Sequence, residues 1–365
     1  MTNSSRYLSL DVLRGITVTL MIIVNTPGGS PVFAPLLHAK WHGFTPTDWV
    51  FPTFMFVVGN ALSFGFAKYE TGGSFYKKIF KRSLIIFLLG YLMYWFPFVH
   101  EQDGHLVFNS ISETRIFGVL QRIALGYLFA SLIIHFVKKR GLIICSAIIL
   151  LTYWLLLYFF GDYTLQCNAV LKLDLFLFGD KHLYHGEGIA FDPEGLLSTL
   201  PAIVNVIVGY VTGRFIQLKG NSYETIAKMM VAGVLLLFVA MSWNMVLPIN
   251  KKLWTSSFVL YTLGWDLLIL SILIFTIDIK RKKSWTYFFE VFGKNTLFIY
   301  LLSEVGVILL YFFHINGQNL YSWIYQNLFL WAGDYISSLL FAIWWMLTCW
   351  LVGFWMDKKK IYVKV

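Results

Sequence analysis

Residues 25–54 read NTPGGSPVFAPLLHAKWHGFTPTDWVFPTF and lie between two strongly apolar stretches. They hold Asn25, His38, Lys40, Trp41 and Asp48, groups that bind, donate or move protons. Histidine has the side chain whose ordinary pKa lies closest to neutrality, which suits His38 to general-base work. Asn25 ends the first apolar segment before a Pro27-Gly28-Gly29 turn. Its amide can hold a substrate or stabilise developing negative charge. Asp48 is placed to cap the helix that follows. A carboxylate beside His38 would raise its pKa, and spacing alone does not put Asp48 that close. A solvated loop histidine remains the plain alternative for His38.

Four further clusters carry polar groups into apolar surroundings, where ionisable side chains are costly and point to function by default. In SLDVLRG (9–15), Asp11 and Arg14 are three apart and share a helical face. They read as an ion pair at a helix start, with an anionic ligand as the alternative partner for Arg14. In GVLQRIALGY (118–127), Gln121 and Arg122 open an otherwise apolar helix, and Arg122 needs an acid or a phosphate. In FDPEGLLSTLPAIVNVIVGY (191–210), Asp192 and Pro193 read as the N-cap and first residue of a helix. Glu194 then falls in its first turn, and Asn205 lies midway along the apolar stretch. In LPINKKLWTSSFVLYTLGWDLL (247–268), Lys251, Lys252, Trp254, Ser256 and Ser257 open another helix, while GKNTLFIYLLSE (293–304) adds Asn295 and Glu304.

The elements that must position these groups are membrane helices. Of 365 residues, 58% are hydrophobic and only 13% charged, about half the charged share of a soluble globular domain. A soluble fold of this size cannot bury that much apolar surface. About 20 apolar residues cross the hydrocarbon core. Ten stretches qualify: 8–27, 47–67, 83–99, 115–137, 142–160, 193–216, 227–248, 257–277, 294–313 and 335–355. A short interfacial helix is expected near 285–292 or 319–331. The fold class is an all-α polytopic membrane protein, one domain over residues 1–365. The first segment carries Asp11 and Arg14 and lacks a small-x-small cleavage site, so it does not read as a cleavable signal.

The net charge of +10 is distributed as a topology signal rather than a nucleic-acid footprint. The N-terminus with Arg6, the run 68–82, KKR (138–140), the 214–228 stretch, KRKK (280–283) and the tail hold 20 of the 29 lysines and arginines. The alternate connections hold six: Lys40, Arg115, Lys172, Lys181, Lys251 and Lys252. Both termini are therefore expected in the cytoplasm, with the first loop (within 25–48) and the loop 161–192 outside. Cys145, Cys167 and Cys349 have no metal-ligand spacing, and no metal is expected. An even number of spans and polar residues near the midplane also suit a transporter.

LDVLRG, the Asn-x-Pro-Gly turn, HAKWHGFTPTDWVFPTFMFVVG, GVLQRIALGY, DPEGLLSTLPAIVNVIVGYVTG, PINKKLWTSSFVL and GKNTLFIYLLSE occur in one order between about residues 6 and 304. Together they resemble the heparan-α-glucosaminide N-acetyltransferase family, in the form of a short bacterial member without the luminal N-terminal domain of the lysosomal enzyme. The resemblance implies acetyl transfer from cytosolic acetyl-CoA to the amine of glucosamine, or of a glucosamine-containing saccharide, across a membrane. That membrane would be the bacterial inner membrane, with a homodimer as the family assembly. It implies His38 as the active-site histidine and Asn25 as the asparagine of the first turn. Arg122 matches an important family arginine, and Ser256 or Ser257 falls in the Leu-Trp-Ser motif. The stretch between Asn25 and His38 is slightly longer than the family's, which leaves the loop geometry open. An O-acyltransferase of an envelope polysaccharide would use the same histidine chemistry.

Overall fold

Backbone that crosses hydrocarbon must satisfy its hydrogen bonds within the protein, which leaves helices or a closed barrel. This chain uses helices. The computed structural model describes residues 7–65, 74–102 and 105–363. Arg6, residues 68–73 of the first basic run and Lys364 lie outside them. The helices are α1 (Leu8–Asn25), α2 (Pro46–Gly65), α3 (Ser74–Trp95), α4 (Val119–Phe136), α5 (Lys139–Phe160), α6 (Ala169–Phe178), α7 (Leu196–Lys219), α8 (Tyr223–Trp243), α9 (Ser256–Leu273), α10 (Thr286–Lys294), α11 (Thr296–Phe312), α12 (Leu320–Leu328) and α13 (Asp334–Lys358). Two short antiparallel hairpins interrupt them, Val99–Gln102 with His105–Phe108 and His314–Ile315 with Gln318–Asn319.

Each of the ten expected stretches carries a helix over most of its described residues, and both places offered for a short extra helix carry one, α10 and α12. Fewer than ten have the length and apolar composition to cross a membrane. Among the described residues seven do: α1, α4, α5, α7, α8, α9 with its π-helical extension to Ile279, and α13. An eighth is added if α10 and α11, bent by 83° at Asn295, form one broken span. The helices α2 and α3 are long enough, at 20 and 22 residues. Polar groups dilute them: α2 carries Asp48, Asn60 and two prolines, and α3 starts within the basic run.

The outer faces of α5 and α8 show what surrounds the bundle. Ile143, Ile144, Ile148, Leu151 and Leu155 stand exposed on α5, and Val231, Val234, Leu235 and Phe238 on α8. Water-facing surfaces rarely tolerate apolar patches of that extent; lipid accepts them.

Close packing of α2 on α7 holds the functional end of the bundle. A Cβ added to Gly59 would stand 1.9 Å from the Val206 carbonyl oxygen, and one on Gly209 would stand 2.0 Å from that of Phe56. Only glycine lets these backbones approach so closely, the small-residue packing that membrane helices use. The contact fixes the first turn of α2, with Asp48, relative to the segment that enters α7, with Glu194.

Candidate active site

The loop after α1 folds back so that His38 meets the start of α2. His38 Nδ1 lies 2.7 Å from Asp48 Oδ1. Asp48 is not an N-cap. It occupies the third position of α2 and reaches back to Thr45, accepting from its N–H at 3.0 Å and its hydroxyl at 3.1 Å, a variant of the capping box. Asp48 Oδ2 also accepts from the Ala39 N–H at 3.1 Å. The carboxylate is 1% exposed and the imidazole 42%. A carboxylate so held accepts the Nδ1 proton of His38, which leaves Nε2 with its lone pair free.

His38 opens onto a cavity of about 380 Å³ lined also by Asn25, Tyr94, Arg115, Tyr184, Glu187, Glu194, Lys251, Lys252 and Glu304. Asn25, at the last turn of α1, donates from Nδ2 to Glu304 Oε1 on α11 at 3.1 Å. One amide hydrogen is so committed and the other remains available. Lys251 Nζ stands 3.1 Å and 3.2 Å from the two His38 ring nitrogens and 3.9 Å from Asp48 Oδ1. Burial pushes its ammonium down to about 8, against the pull of Asp48 and Glu194. Lys252 Nζ donates to the Lys40 carbonyl at 2.8 Å and to Glu187.

One wall of the cavity is an ion cluster that joins the sequence candidates Asp192 and Glu194 to Arg115, which was not among them. Arg115 donates to both oxygens of Asp192, at 2.8 Å and 2.7 Å, and to Glu194 at 2.7 Å. Its guanidinium lies 4.8 Å from the ring centres of both Tyr94 and Tyr184. Burial works to raise the Glu194 carboxyl, and Arg115 overrides it and holds the group below its usual value. Asp192 is consequently not the N-cap expected of it, because its oxygens serve Arg115 and the Glu194 N–H. Helix α7 starts later, at Leu196, after Gly195, and Asp174 on α6 accepts the Leu196 N–H at 3.1 Å.

Asp174 carries its own expectation. Burial pushes its carboxyl up to about 7, with Asp192 adding to burial and the Leu196 N–H and Arg122 opposing it. The folded protein thus retains a proton that the unfolded chain releases at about pH 4. Its charged form weakens the fold, with no cost below about pH 4 and the full cost above about pH 7. Thermal unfolding of Asp174→Asn should show a midpoint a few degrees above wild type at pH 8 and little changed near pH 4.

A second cavity of about 400 Å³ lies further along the bundle, lined by Arg14, Arg82, Lys294 and mainly apolar side chains. Met21, Val119 and Tyr300 line both cavities, so these three mostly apolar side chains stand between the two. Arg14 pairs with Asp11 at 3.3 Å and donates to the Gly293 carbonyl at 3.4 Å. Lys294 pairs with Asp357 at 2.9 Å, and Arg82 lies 4.8 Å from the ring centre of Tyr127.

The other sequence candidates fall outside both cavities. Arg122 is fully buried, its guanidinium 4.7 Å from the ring centre of Trp254, and it donates to the Gly195 carbonyl and the Ser198 hydroxyl. Trp254 Nε1 donates to Asn205 at 3.2 Å. These three form a polar strut behind the cavity wall. Gln121 is buried beside it, its amide without a hydrogen-bond partner among the described residues. Trp41 Nε1 donates to the Tyr163 carbonyl at 2.7 Å and ties the first loop to the loop after α5. Ser256 and Ser257 donate to backbone carbonyls of Leu150 and Leu247. Asn295 binds the chain end through Ile361 and Val363. No cluster of three or more metal-ligating side chains occurs among the described residues.

The profile of the family described as heparan-alpha-glucosaminide N-acetyltransferase, catalytic, matches residues 6–242. The human heparan-alpha-glucosaminide N-acetyltransferase is 28% identical, with 82% of this chain and 53% of that protein covered. The mouse protein of the same name is 27% identical, with 83% and 54% covered. The chain spans about half the length of these curated relatives. A profile match over most of the chain, with the polar loop and the start of α7 inside it, places this protein in the heparan-α-glucosaminide N-acetyltransferase catalytic family.

Proposed function

We propose that the chain is a transmembrane N-acetyltransferase. It would move an acetyl group from acetyl-CoA on the cytoplasmic side to the amine of glucosamine, or of a glucosamine-bearing saccharide, on the far side of a bacterial inner membrane. The observation that carries this reading is the pair of cavities of opposite character that share Met21, Val119 and Tyr300. One presents three cations to an anionic head group. The other presents a histidine–carboxylate dyad, an asparagine amide and ion-paired polar walls, Arg115 with Glu194 and Lys252 with Glu187, that suit the hydrogen-bonding groups of a sugar. On this reading the whole chain is one catalytic domain with ten crossings and both termini in the cytoplasm, working as a homodimer. The positive residues Arg14, Arg82 and Lys294 then stand on the cytoplasmic side, in line with the charge bias of the connections.

Acetyl-CoA supplies a thioester, an acyl donor reactive toward amines. Arg14, Arg82 and Lys294 hold its phosphates, and a thin uncharged arm passes between the cavities beside Met21, Val119 and Tyr300. His38 Nε2 accepts the proton of the attacking amine, while Asp48 keeps the imidazole in the needed tautomer. The free amide hydrogen of Asn25 stabilises the developing oxyanion, with Glu304 fixing the amide plane. Glu187 and Glu194, each held by a cation, offer acceptor oxygens to sugar hydroxyls, and Tyr184 gives a sugar ring a flat face to stack on. A preformed dyad and oxyanion donor in one chamber favour direct transfer in a ternary complex. An acetyl-histidine intermediate would be detected as acceptor-free label on His38.

Transfer from labelled acetyl-CoA to glucosamine by purified protein tests the reading, and transfer to a polysaccharide hydroxyl instead would move it to O-acylation. Two chambers with a shared wall also suit alternating access, so sugar uptake by proteoliposomes lacking any acyl donor would favour transport. Arg82 touches Tyr127 and borders the cationic chamber. Arg82→Met should raise KM for acetyl-CoA about 10–100-fold and spare kcat, since a hydrogen bond to a charged group contributes about 1.5–3 kcal/mol. An unchanged KM would place the phosphates elsewhere.

A further inference from the structure

The transfer just described leaves Lys251 without a part, although its amine stands within the reaction chamber. Its nearly equal distances to the two His38 ring nitrogens, 3.1 Å and 3.2 Å, put Nζ over the ring face. It therefore does not lie along either lone pair. The side chain is 17% exposed. Lys252 is spent on Glu187 and a backbone carbonyl, whereas the Asp48 oxygens near Lys251 already serve His38, Ala39 and Thr45.

The backbone beneath Lys251 is fixed. Asn250 Oδ1 accepts from the Leu253 N–H at 2.8 Å, the Asn250 N–H donates to the Thr255 hydroxyl at 3.1 Å, and the Lys251 carbonyl accepts from the Trp254 N–H at 3.0 Å. Only the flexible side chain moves. A general base takes its proton from a donor about 2.6–3.2 Å away. With Nδ1 committed to Asp48, the base is Nε2, and the Lys251 amine already stands at that distance. A small rotation of the lysine side chain brings it onto the lone pair. Lysine also offers the functional group of an amino sugar, a primary amine, and burial increases its neutral, nucleophilic fraction near pH 7.

We propose that Lys251 is an acetylation site of the chain itself: without an acceptor, its amine takes the acetyl group at the His38 centre. This rests on the acetyl-CoA-dependent reading above. Neutral Nζ attacks the thioester carbonyl carbon and the new C–N bond forms as the C–S bond breaks. His38 removes the proton from Nζ and returns it to the departing thiolate. The products are an acetyl-lysine amide and free CoA thiol, with no other reactant. The amide is uncharged and too stable to pass its acetyl group on. It fills the space beside His38, so the modification switches the site off. A bound acceptor displaces Lys251 from the imidazole and protects it.

The test incubates the purified full chain in detergent with isotopically labelled acetyl-CoA and no acceptor, then locates the label by peptide mass spectrometry. Transfer to glucosamine is measured in parallel. The expected result is label at Lys251 approaching one acetyl group per chain, with transfer activity falling as label accumulates. The label should vanish in Lys251→Arg, persist in Lys252→Arg, drop at least tenfold in rate in His38→Ala, and slow when glucosamine is added. Wild type that acetylates glucosamine while Lys251 stays unlabelled overturns the inference and leaves the enzyme reading intact. So does label appearing instead on His38 or Lys252, or label at Lys251 at an undiminished rate in His38→Ala. Protein and glucosamine both unlabelled would overturn the inference together with the reading beneath it.

Discussion

His38→Ala is expected to lower kcat for acetyl transfer by about 10²–10⁴-fold, the usual contribution of a positioned general base. KM for acetyl-CoA should stay near the wild-type value, because the cations assigned to its phosphates line the other cavity. Asp48→Asn tests the same dyad from behind. The Asp48 carboxylate accepts from Nδ1 at 2.7 Å and from two backbone N–H groups. An amide there can present its NH₂ group to Nδ1 and drive the proton onto Nε2, the nitrogen that must stay free. Loss of rate comparable with His38→Ala is therefore expected even though the loop keeps its shape. Steady-state kinetics with labelled donor decide both, and a His38→Ala enzyme at wild-type speed would place the base on another residue.

The second large effect belongs to Asn25. Removing one preorganised oxyanion donor typically costs about 10²–10³-fold in kcat, and Asn25→Ala should fall in that range. Glu304→Gln keeps the volume but makes the partner of Asn25 ambiguous as donor or acceptor. It should give a smaller loss, because Glu304 orients the amide without touching the reacting atoms. The split between constants carries the information. A fall in kcat and kcat/KM together marks an interaction made only in the transition state, whereas a rise in KM at constant kcat would make Asn25 a ground-state binding group.

Much of this site was legible because its key parts are local. His38 and Asp48 belong to one polar stretch, and their pairing needs only a loop that folds back onto the next helix. Asn25 announced itself by ending an apolar segment. What stayed hidden depends on the packing of distant helices. Arg115 reads as an ordinary loop charge until α7 brings Asp192 and Glu194 to it. Lys251 read as an outward loop lysine, and only the tie between Asn250 and Thr255 holds it over His38. Asp48 and Asp192 were each expected as N-caps from their place before an apolar run. Asp48 caps instead from within the first turn, accepting from Thr45 while it holds His38, whereas Asp192 serves Arg115 and the cap of α7 comes from Asp174 on a separate helix. The long helices were legible, since apolar runs dictate them, whereas α6 lies inside the stretch 161–192 that read as a loop. Span counting was less so, because α2 hides Asp48 and Asn60 inside the protein, α3 opens with exposed basic residues, and α10–α11 bends where Asn295 turns away to bind residues 361–363.

The collar of Met21, Val119 and Tyr300 bears on the energetics of the surrounding membrane. A water-filled bore through the bundle would let ions run down their gradient, and a narrow ring of apolar side chains instead expels water and stops conduction. A collar of this kind would keep the protein an insulator at rest. On the proposed reading an acyl group would cross through it while charge would not, so acetylation on the far side would proceed without drawing on, or discharging, the electrochemical potential of the membrane.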